Sequence, residues 1–453
     1  MGEEYHTPGL DIEQIVDRAV ESSDSFRKID QNTTDRITKA VFEAGYEHRH
    51  YLAKLAYQET KLGRWEDKII KNTIATKYVY EDIKDAKTVG IINEDKGQGI
   101  IEIAEPVGPI FSVTPITNPT STVLFKILIS MKTRNPIIIR PHGSARKCSV
   151  EACRILYDAA LKAGAPENCI QWIKTSTKDE VLALMAHRKI CLNLITGSIE
   201  LVRAAYRSGN PTIGVGPGNV PVYISKTADV AFAVEQIIAS KTFDNGTICA
   251  SEQAVVVDRA IADLAIKEFK KNRAYFLSQE EIKRLEPVAF DKEKIVMKVE
   301  VIGQPANVIA RMADIDVPGD TTILIAPLKE IGVQSPLSLE ILAPILAFYV
   351  ANDFEDGVEI CQQINKHGGL GHTASIFTES DEEVMYFATL IKAGRILVNT
   401  PASQGALGGT YNKLKPSLML ACGTSGKNVT ADNISVRHLL NIHRIARRME
   451  CVL

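Results

Sequence analysis

One cysteine of the sequence lies in a setting that suits covalent chemistry. Cys249 belongs to the segment DNGTICASEQ, after a glycine turn and before an apolar, strand-like run. A thiol nucleophile needs exposure to a cleft, together with a lowered pKa or surroundings that stabilise its adduct. Cys249 is therefore a candidate nucleophile, and the alternative for this position is a small buried packing residue.

The remaining cysteines and the histidines form no recognisable metal or disulfide pattern. The chain has 8 Cys and 9 His, with no C-x-x-C pair and no H-E-x-x-H spacing. Eight cysteines in 453 residues are too few for a disulfide scaffold. We therefore expect reduced thiols that mostly pack in the interior, and no metal site.

Three glycine-rich clusters offer backbone that a ligand can approach closely. Thr196–Ser198 stands between a strand-like and a helix-like stretch, where a dinucleotide pyrophosphate meets a helix N-terminus. No G-x-G-x-x-G is present, so an ordinary turn is the alternative. Gly214–Asn219 suits either a close approach to a ligand or a turn that crosses between domains. Gly368–Thr373 contains His372, which is either a site residue or a structural histidine.

The N-terminal part of the chain is predicted to be helical and to lead into a hairpin. From Asp11 to about Asp82, apolar residues recur every three to four positions. Residues 88–104 change to two β-branched runs around Glu-Asp-Lys-Gly-Gln-Gly, a pattern typical of a β-hairpin.

Two runs of alternating strands and helices follow, which predict two α/β sheets. The first comprises candidate strands 109–113, 136–140, 170–173 and 192–195, with helices 121–130, 145–163 and 178–186. The second begins near Val222 and includes 229–240, 253–257, 321–325 and 346–351. Apolar strands alternating with amphipathic helices favour parallel sheets covered on both faces. Two such sheets also favour catalysis in a cleft between domains.

Composition excludes several classes of protein. With 453 residues, 45% hydrophobic and 24% charged, the chain is globular and long enough for two domains. Its net charge of −2 gives no reason to expect nucleic-acid or membrane-surface binding. It has no apolar run of about 18 residues and its first thirty residues lack a signal-peptide pattern. We therefore expect a soluble, cytoplasmic protein.

The combination of motifs carries more information than any one of them. PITNPTS, TGS, GVGPGN, TFDNGTICASEQ, LEILAP, GHTASIFT and RILVNTPASQG occur in this order. Together they resemble the aldehyde dehydrogenase superfamily, and more narrowly its coenzyme-A-acylating members. The resemblance runs from about residue 10 to 450 and is greatest to the aldehyde dehydrogenase half of bifunctional aldehyde–alcohol dehydrogenases, without their iron-dependent half. It implies two α/β domains, one of them Rossmann-type, and a small β oligomerisation arm.

The resemblance assigns roles to individual residues. Cys249 matches the nucleophile that attacks the aldehyde carbon. Asn118 matches the asparagine whose amide completes an oxyanion hole with the cysteine N–H, although a turn residue before Pro119 is the alternative. Glu340 matches the glutamate that accepts hydrogen bonds from the nicotinamide ribose. The remaining cofactor-binding residues implied are Gly197, Ser198, Pro141, Gly216 and Gly218.

One departure from the wider superfamily concerns the release of product. Hydrolytic members carry a glutamate that activates water, whereas the equivalent residues 213–219 here (IGVGPGN) contain no carboxylate. A site without that base should hydrolyse its acyl-enzyme slowly, so coenzyme A is the implied acceptor. His372 matches a histidine of the acylating group, where it would deprotonate the incoming thiol or orient the acyl-enzyme.

These implications give a domain plan. Residues 1–87 and 108–218 would bind the nicotinamide cofactor, and 219–415 would form the catalytic domain. Residues 88–107 and 416–453 would pair subunits into a homodimer or larger homo-oligomer, with a solvated helix as the alternative for Arg437–Arg448. The cofactor is expected to be NAD. NADP is the alternative, since basic residues lie near the expected adenosine end (Arg140, His142, Arg146 and Lys147).

The reaction expected is reversible oxidation of a short aldehyde to acyl-CoA, with acetaldehyde first and propionaldehyde second. Alternatives are an acylating enzyme for an anionic aldehyde such as succinate semialdehyde or sulfoacetaldehyde, and a hydrolytic enzyme giving free acid. A scaffold protein that lost the chemistry and a reductase of an acyl phosphate are further alternatives. A requirement for CoA would exclude the hydrolytic enzyme, and binding of NADH would count against the scaffold. Release of phosphate would support the reductase.

Overall fold

The structure, a computed structural model, describes residues 11–448. The helices are α1 (Ile12–Phe26), α2 (Gln31–Glu47), α3 (Arg49–Thr60), α4 (Trp65–Thr73), α5 (Val79–Ile83), α6 (Pro119–Lys132), α7 (Arg146–Lys162), α8 (Lys178–Ala186), α9 (Ile199–Arg207), α10 (Val230–Thr242), α11 (Ala262–Lys271), α12 (Gln279–Ala289), α13 (Ala306–Met312), α14 (Phe354–Lys366), α15 (Asp381–Leu390) and α16 (Ala402–Gly405). The strands are β1 (Gly90–Asp95), β2 (Ile100–Pro106), β3 (Ile110–Val113), β4 (Ile137–Arg140), β5 (Ile170–Trp172), β6 (Leu192–Thr196), β7 (Thr212–Val215), β8 (Val220–Ile224), β9 (Glu252–Asp258), β10 (Ala274–Phe276), β11 (Phe290–Asp291), β12 (Val296–Met297), β13 (Ile323–Pro327), β14 (Ile345–Ala351), β15 (Gly371–Phe377), β16 (Ala393–Val398) and β17 (Leu440–Ala446).

The described chain forms two compact units. The first contains residues 11–59, 72–214 and 434–448, and the second contains residues 60–71 and 215–433. None of the described helices is long and apolar enough to cross a membrane. Among residues 11–448, no group of three or more His, Cys, Asp or Glu side chains could hold a metal ion.

The first unit is built on a five-stranded sheet in the order β5-β4-β3-β6-β7. Strand β3 pairs in parallel with β4 on one side and with β6 on the other. Successive strands therefore leave β3 in opposite directions, which creates the topological switch point where α/β sheets bind ligands. Phe111 of β3 and Ile138 of β4 belong to a buried apolar cluster that includes residues of α1, α8 and α9.

A three-stranded antiparallel sheet, in the order β1-β2-β17, also belongs to the first unit. The pairing of β1 with β2 confirms the hairpin predicted at residues 88–104. The C-terminal stretch is strand rather than the solvated helix considered for it, because Leu440–Ala446 pairs along the whole of β2. Ile91 and Ile445 of this sheet are exposed.

The second unit contains a seven-stranded parallel sheet in the order β10-β13-β14-β9-β8-β15-β16. Residues of β9 alternate between two apolar clusters: Val255 and Val257 pack with α10 and α11, whereas Val256 packs with α14. This alternation buries both faces of the strand, as expected of a parallel sheet with helices on each side. The predicted α/β fold with two parallel sheets is confirmed.

Candidate active site

Cys249 lies between the turn that ends α10 and the start of β9, and its exposure is intermediate. Three successive residues of that turn have left-handed backbone: Asp244 (φ 48°), Asn245 (φ 51°) and Gly246 (φ 74°). Gly246 is required here because a Cβ would lie 2.9 Å from the carbonyl oxygen of Ala343. The two non-glycine residues have an unfavourable conformation that surrounding contacts must stabilise.

Those contacts come from a buried charge cluster around Asp244, which we call the Asp244 clamp (Lys68, Lys71 and Asp244). Both lysine ammonium groups bond to Asp244 Oδ2, Lys68 at 2.9 Å, and all three side chains are buried. The N–H of Arg64 donates to Asp244 Oδ1 at 2.6 Å. Burial alone would raise the pKa of Asp244, but the two ammonium groups outweigh it and lower that pKa. The clamp therefore holds the turn five residues before the candidate nucleophile.

Cys249 and His372 form the central pair of the site. His372, at the start of β15, places its Nε2 3.2 Å from Cys249 Sγ. Burial raises the pKa of Cys249 to about 12, with further contributions from Glu340 and Cys422, while Arg395 opposes the shift. Burial and the charge of Arg395 lower the pKa of His372 to about 3. At neutral pH the pair is therefore a thiol beside an uncharged imidazole.

Gly218 joins this pair to Glu340. A Cβ on Gly218 would lie 2.3 Å from the carbonyl oxygen of Cys249 and 3.1 Å from the His372 ring, so only glycine fits without a shift of the backbone. Its N–H donates to Glu340 Oε1 at 2.7 Å. The close approach expected of the Gly214–Asn219 cluster is thus, at Gly218, an approach to Cys249 itself. The chain also passes from the first unit to the second after Gly214.

Glu340 has the properties required of a hydroxyl acceptor. Burial raises its pKa to about 7, although the Gly218 N–H and the charge of Lys241 oppose the rise. Only Oε1 has a hydrogen-bond partner among the described residues, which leaves Oε2 able to accept from a ribose hydroxyl. Buried Lys241 supports this loop by donating to the carbonyl of Ile341 at 3.0 Å and to Gln253 Oε1 at 2.9 Å. Gln253 Oε1 in turn accepts the Ile341 N–H.

Apart from Gly216, which lies in the second unit, the other predicted site residues belong to the first unit. Asn118 begins α6 at its N-cap position, with its amide donating to Thr117 Oγ1 at 3.2 Å. Gly197 and Ser198 form the turn between β6 and α9, where Ser198 caps the helix by accepting the Leu201 N–H. Pro141 is buried directly after β4. Gly216 has open space where a Cβ would project, and residues 213–219 contain no carboxylate.

The first unit also has unsatisfied polar groups near the carboxyl edge of its five-stranded sheet. The buried hydroxyls of Ser112, Thr114 and Thr196 have no hydrogen-bond partner among the described residues. All three stand at the carboxyl ends of β3 and β6, the strands that flank the switch point. Buried polar groups without partners are uncommon and call for a ligand or water. This edge of the sheet is therefore a candidate place for a ligand.

Sequence reasoning missed the residues that support the site. Four basic residues hold the chain around Cys249. Lys68, Lys71 and Arg395 are distant from it in sequence, whereas Lys241 lies near the end of α10, shortly before it. A signal existed for two of them, since Lys241 ends an apolar helix and Arg395 interrupts an apolar strand. The side chains that these four residues contact could not be predicted from the sequence alone.

Comparison with known proteins identifies the family of the chain. Residues 5–281 match the Aldehyde dehydrogenase family. The chain is 43% identical over 447 residues to the bifunctional aldehyde-alcohol dehydrogenase AdhE of Escherichia coli (strain K12), covering 98% of this chain and 50% of the relative. It is 34% identical to the succinate-semialdehyde dehydrogenase (acetylating) of Clostridium kluyveri, covering 96% and 95%.

Among solved structures, an acetylating aldehyde dehydrogenase from Geobacillus thermoglucosidasius matches with a TM-score of 0.95 and 43% identity, covering 98% of this chain and 97% of that one. The chain belongs to the aldehyde dehydrogenase family. It spans about half the length of the curated aldehyde–alcohol dehydrogenases that it matches.

Proposed function

We propose that this protein catalyses the reversible, NAD-dependent oxidation of a short-chain aldehyde to an acyl-CoA. The observation that carries the proposal is the Cys249–His372 pair, 3.2 Å apart, in a chain whose residues 213–219 lack the carboxylate of the hydrolytic enzymes. Similarity to proteins named as acetylating supports the same conclusion.

The first step is attack of the Cys249 sulfur on the aldehyde carbon. The thiol proton passes to solvent, a C–S bond forms, and the carbonyl π electron pair moves to oxygen. The resulting alkoxide would be stabilised by the Cys249 N–H and the Asn118 amide. Removal of one donor from an oxyanion hole of this type costs on the order of 10²–10³ in rate. Because the thiol predominates in the free protein, the attack should accelerate as the pH rises.

The nicotinamide cofactor, when bound, supplies the hydride acceptor that converts this adduct into a thioester. Glu340 would hold its ribose, and Gly197, Ser198, Pro141, Gly216 and Gly218 would contact the remainder. NAD is proposed as the cofactor. NADP is the alternative, because basic residues lie at the end of β4 and in the segment that follows it (Arg140, His142, Arg146 and Lys147).

Transfer of the acyl group to CoA completes the reaction. The CoA sulfur attacks the thioester carbon, the bond to Cys249 breaks, and the thiol proton of CoA passes to solvent. Glu340 is the carboxylate whose charge raises the pKa of Cys249, and its Oε1 accepts the Gly218 N–H. Without a dedicated base for water, hydrolysis of the acyl-enzyme should be slow.

Acetaldehyde is the proposed substrate and propionaldehyde the second choice. The similarity to a succinate-semialdehyde dehydrogenase keeps an anionic aldehyde as a second candidate. We also propose that the protein acts in the cytoplasm as a homodimer or larger homo-oligomer. A panel of aldehydes with NAD and NADP, each with and without CoA, would identify the substrate and cofactor.

The decisive experiment measures NADH formation without CoA. Enzyme, NAD and aldehyde should give at most one NADH per functional site, followed by slow turnover that CoA restores. Cys249→Ala should abolish the reaction, and Cys422→Ala should not, although both thiols are near Arg395. Fast repeated turnover to free acid without CoA would refute acylation and favour the hydrolytic alternative.

A further inference from the structure

Behind His372 lies an arginine whose hydrogen-bonding capacity is fully used. Arg395 of β16 is only 3% exposed, and none of the described carboxylates forms an ion pair with it. A guanidinium has five N–H donors, which is the number of its hydrogen bonds here. The acceptors are the carbonyls of His372 (2.7 Å), Ala421 (2.7 Å) and Ala431 (3.3 Å), Asn433 Oδ1 (3.1 Å) and Thr373 Oγ1 (3.4 Å).

The hydroxyl of Thr373 connects Arg395 to the imidazole. Thr373 is fully buried, and its Oγ1 lies 3.0 Å from His372 Nδ1 and 3.4 Å from Arg395 Nε. Because Arg395 Nε can only donate, the hydroxyl proton has one acceptor among the described residues, His372 Nδ1. That acceptor exists only if Nδ1 carries no proton.

The two neutral tautomers of His372 can therefore be compared. If Nδ1 were protonated, the Thr373 hydroxyl proton would be buried without an acceptor, while the Cys249 thiol would donate to Nε2. If Nε2 is protonated, Thr373 donates to Nδ1 and only the thiol proton lacks an acceptor. A hydroxyl is a strong donor and a thiol a weak one, so the second arrangement leaves the smaller penalty. Burial of His372, together with the charge of Arg395, lowers its pKa and disfavours the doubly protonated ring.

We infer that Thr373, oriented by Arg395, holds His372 as the Nε2–H tautomer, so that the imidazole donates a hydrogen bond to Cys249 Sγ and does not accept its proton. Thr373 and Arg395 are then positioning residues that act through His372. The hydrogen bonds of Thr373 decide between the two tautomers.

This tautomer gives His372 a definite task in the proposed function, on which the following step rests. When the CoA sulfur attacks the thioester carbon, the C–S bond to Cys249 breaks and its electron pair moves to Sγ. The Nε2–H stabilises that thiolate, and the CoA thiol proton leaves to solvent. His372 thus assists the leaving sulfur and is not the base for CoA.

Nitrogen NMR of the protein labelled with ¹⁵N-histidine tests the tautomer without any substrate. The His372 signals, identified by their loss in His372→Asn, should show Nε2 bonded to hydrogen and Nδ1 unprotonated. A protonated Nδ1 beside an unprotonated Nε2 would overturn the inference. Because neither aldehyde nor CoA is present, this outcome is independent of whether the acylating function is correct.

A second test follows alkylation of Cys249 by iodoacetamide as a function of pH. The titratable or charged groups that act on Cys249 are His372, Arg395, Glu340 and Cys422. A hydrogen bond from the His372 Nε2–H to the Cys249 thiolate is charge-assisted and favours the thiolate that reacts. Thr373→Val removes the hydroxyl that keeps Nε2 protonated, so alkylation should slow about tenfold at fixed pH. Thr373→Ser retains the hydroxyl and should stay within about twofold of wild type. Wild-type rates and pH dependence in Thr373→Val, or equal loss in Thr373→Ser, would contradict the inference. The NMR result on the unmodified protein stands if Thr373→Val fails to fold.

Discussion

The N–H of Gly218 donates to Glu340 Oε1 at 2.7 Å, while the Cα of the same glycine faces Cys249 and His372 too closely to carry a side chain. One residue thus links the candidate nucleophile to the candidate ribose acceptor. Gly218 precedes Asn219, whose buried amide donates to the carbonyls of Ser338, Ile364 and His367. The start of β8 is therefore tied to the loops on which the site depends.

The first prediction concerns that glycine. In Gly218→Ala, the new Cβ would lie 2.3 Å from the Cys249 carbonyl oxygen, so the backbone of one residue or the other must move. A displacement of about 1 Å at a reacting group can cost on the order of 10² in rate, and we expect kcat to fall by that amount. Gly319→Ala, where nothing lies near the new methyl group, is the matched control. Steady-state assays with saturating CoA would show the difference, and equal kcat in both variants would contradict the prediction.

The second prediction is a pH dependence of NAD binding. The pKa of Glu340 is raised to about 7, and the ionised carboxylate is the stronger acceptor for ribose hydroxyls. The affinity for NAD should therefore weaken as the pH falls below about 7 and level off above it, by about tenfold in total. Glu340→Gln should abolish this dependence. Glu252→Gln is the control, because Glu252 also has a pKa near 7 but is fully buried and bonds to the Ala402 N–H.

Titration of NAD into the protein across pH 5.5–8.5, followed by fluorescence quenching, would measure this affinity. A flat profile in the wild-type protein would argue against a ribose contact by Glu340. If the pH dependence disappears in Glu252→Gln but persists in Glu340→Gln, then Glu252 is the group that titrates, which contradicts the proposed role of Glu340.

The third prediction tests the expected assembly through the three-stranded sheet. Ile91 and Ile445 expose 56% and 46% of their surface on this sheet, whose outer strands have unpaired edges within the described chain. Exposed apolar residues beside an open strand edge are typical of a subunit interface. We expect a mass of at least twice 49.8 kDa by light scattering at micromolar concentration.

Replacing Ile445 with Asp should weaken that assembly at least tenfold, since it buries a charge at the proposed contact. Val429→Asp changes another exposed apolar residue, in the second unit, and should leave the mass unchanged. A monodisperse wild-type monomer of about 50 kDa would refute the assembly.

The fold was largely predictable because its strands are continuous apolar runs. The pattern around residues 137–140 and 253–257 needs a sheet buried on both faces, and helices of matching length separate the strands. Cys249, Glu340 and His372 were identified by family motifs, and the structure brings all three into contact with Gly218 or with each other. The family was confirmed. The roles of all the predicted site residues, Cys249, His372 and Glu340 included, stay predictions.

What the sequence did not reveal are buried ionic and polar contacts between distant segments. Lys68 and Lys71 lie on an amphipathic helix in a region rich in charge, so their pattern resembles a solvated face. Their partner Asp244 is more than 170 positions away. Periodicity reports burial of apolar side chains, whereas a buried ion pair depends on tertiary contacts that no local pattern encodes.

The final prediction concerns this Asp244 clamp. Asp244→Asn preserves the size of the side chain but leaves Lys68 and Lys71 buried without their carboxylate, and breaking such a cluster typically costs about 3–5 kcal/mol. We expect a loss of that size in the free energy of unfolding, measured by urea denaturation at pH 7. Because the folded-state pKa of Asp244 lies below its ordinary value, its contribution is complete above that ordinary value and disappears as the pH falls through the folded-state pKa.

The difference between Asp244→Asn and wild type should therefore shrink below about pH 4, where Asp244 is protonated. It should also shrink as the pH rises through about 8, because burial lowers the pKa of Lys71 to about 8 and the ion pair is lost when that ammonium group deprotonates. Asp314→Asn is the control, since Asp314 also has left-handed backbone (φ 51°) but forms no ion pair among the described residues. The turn that Asp244 holds leads directly to Cys249, so kcat should fall along with stability. Unchanged stability together with lower kcat would mean that the clamp positions the nucleophile without supporting the fold. Unchanged values of both would refute its assigned role.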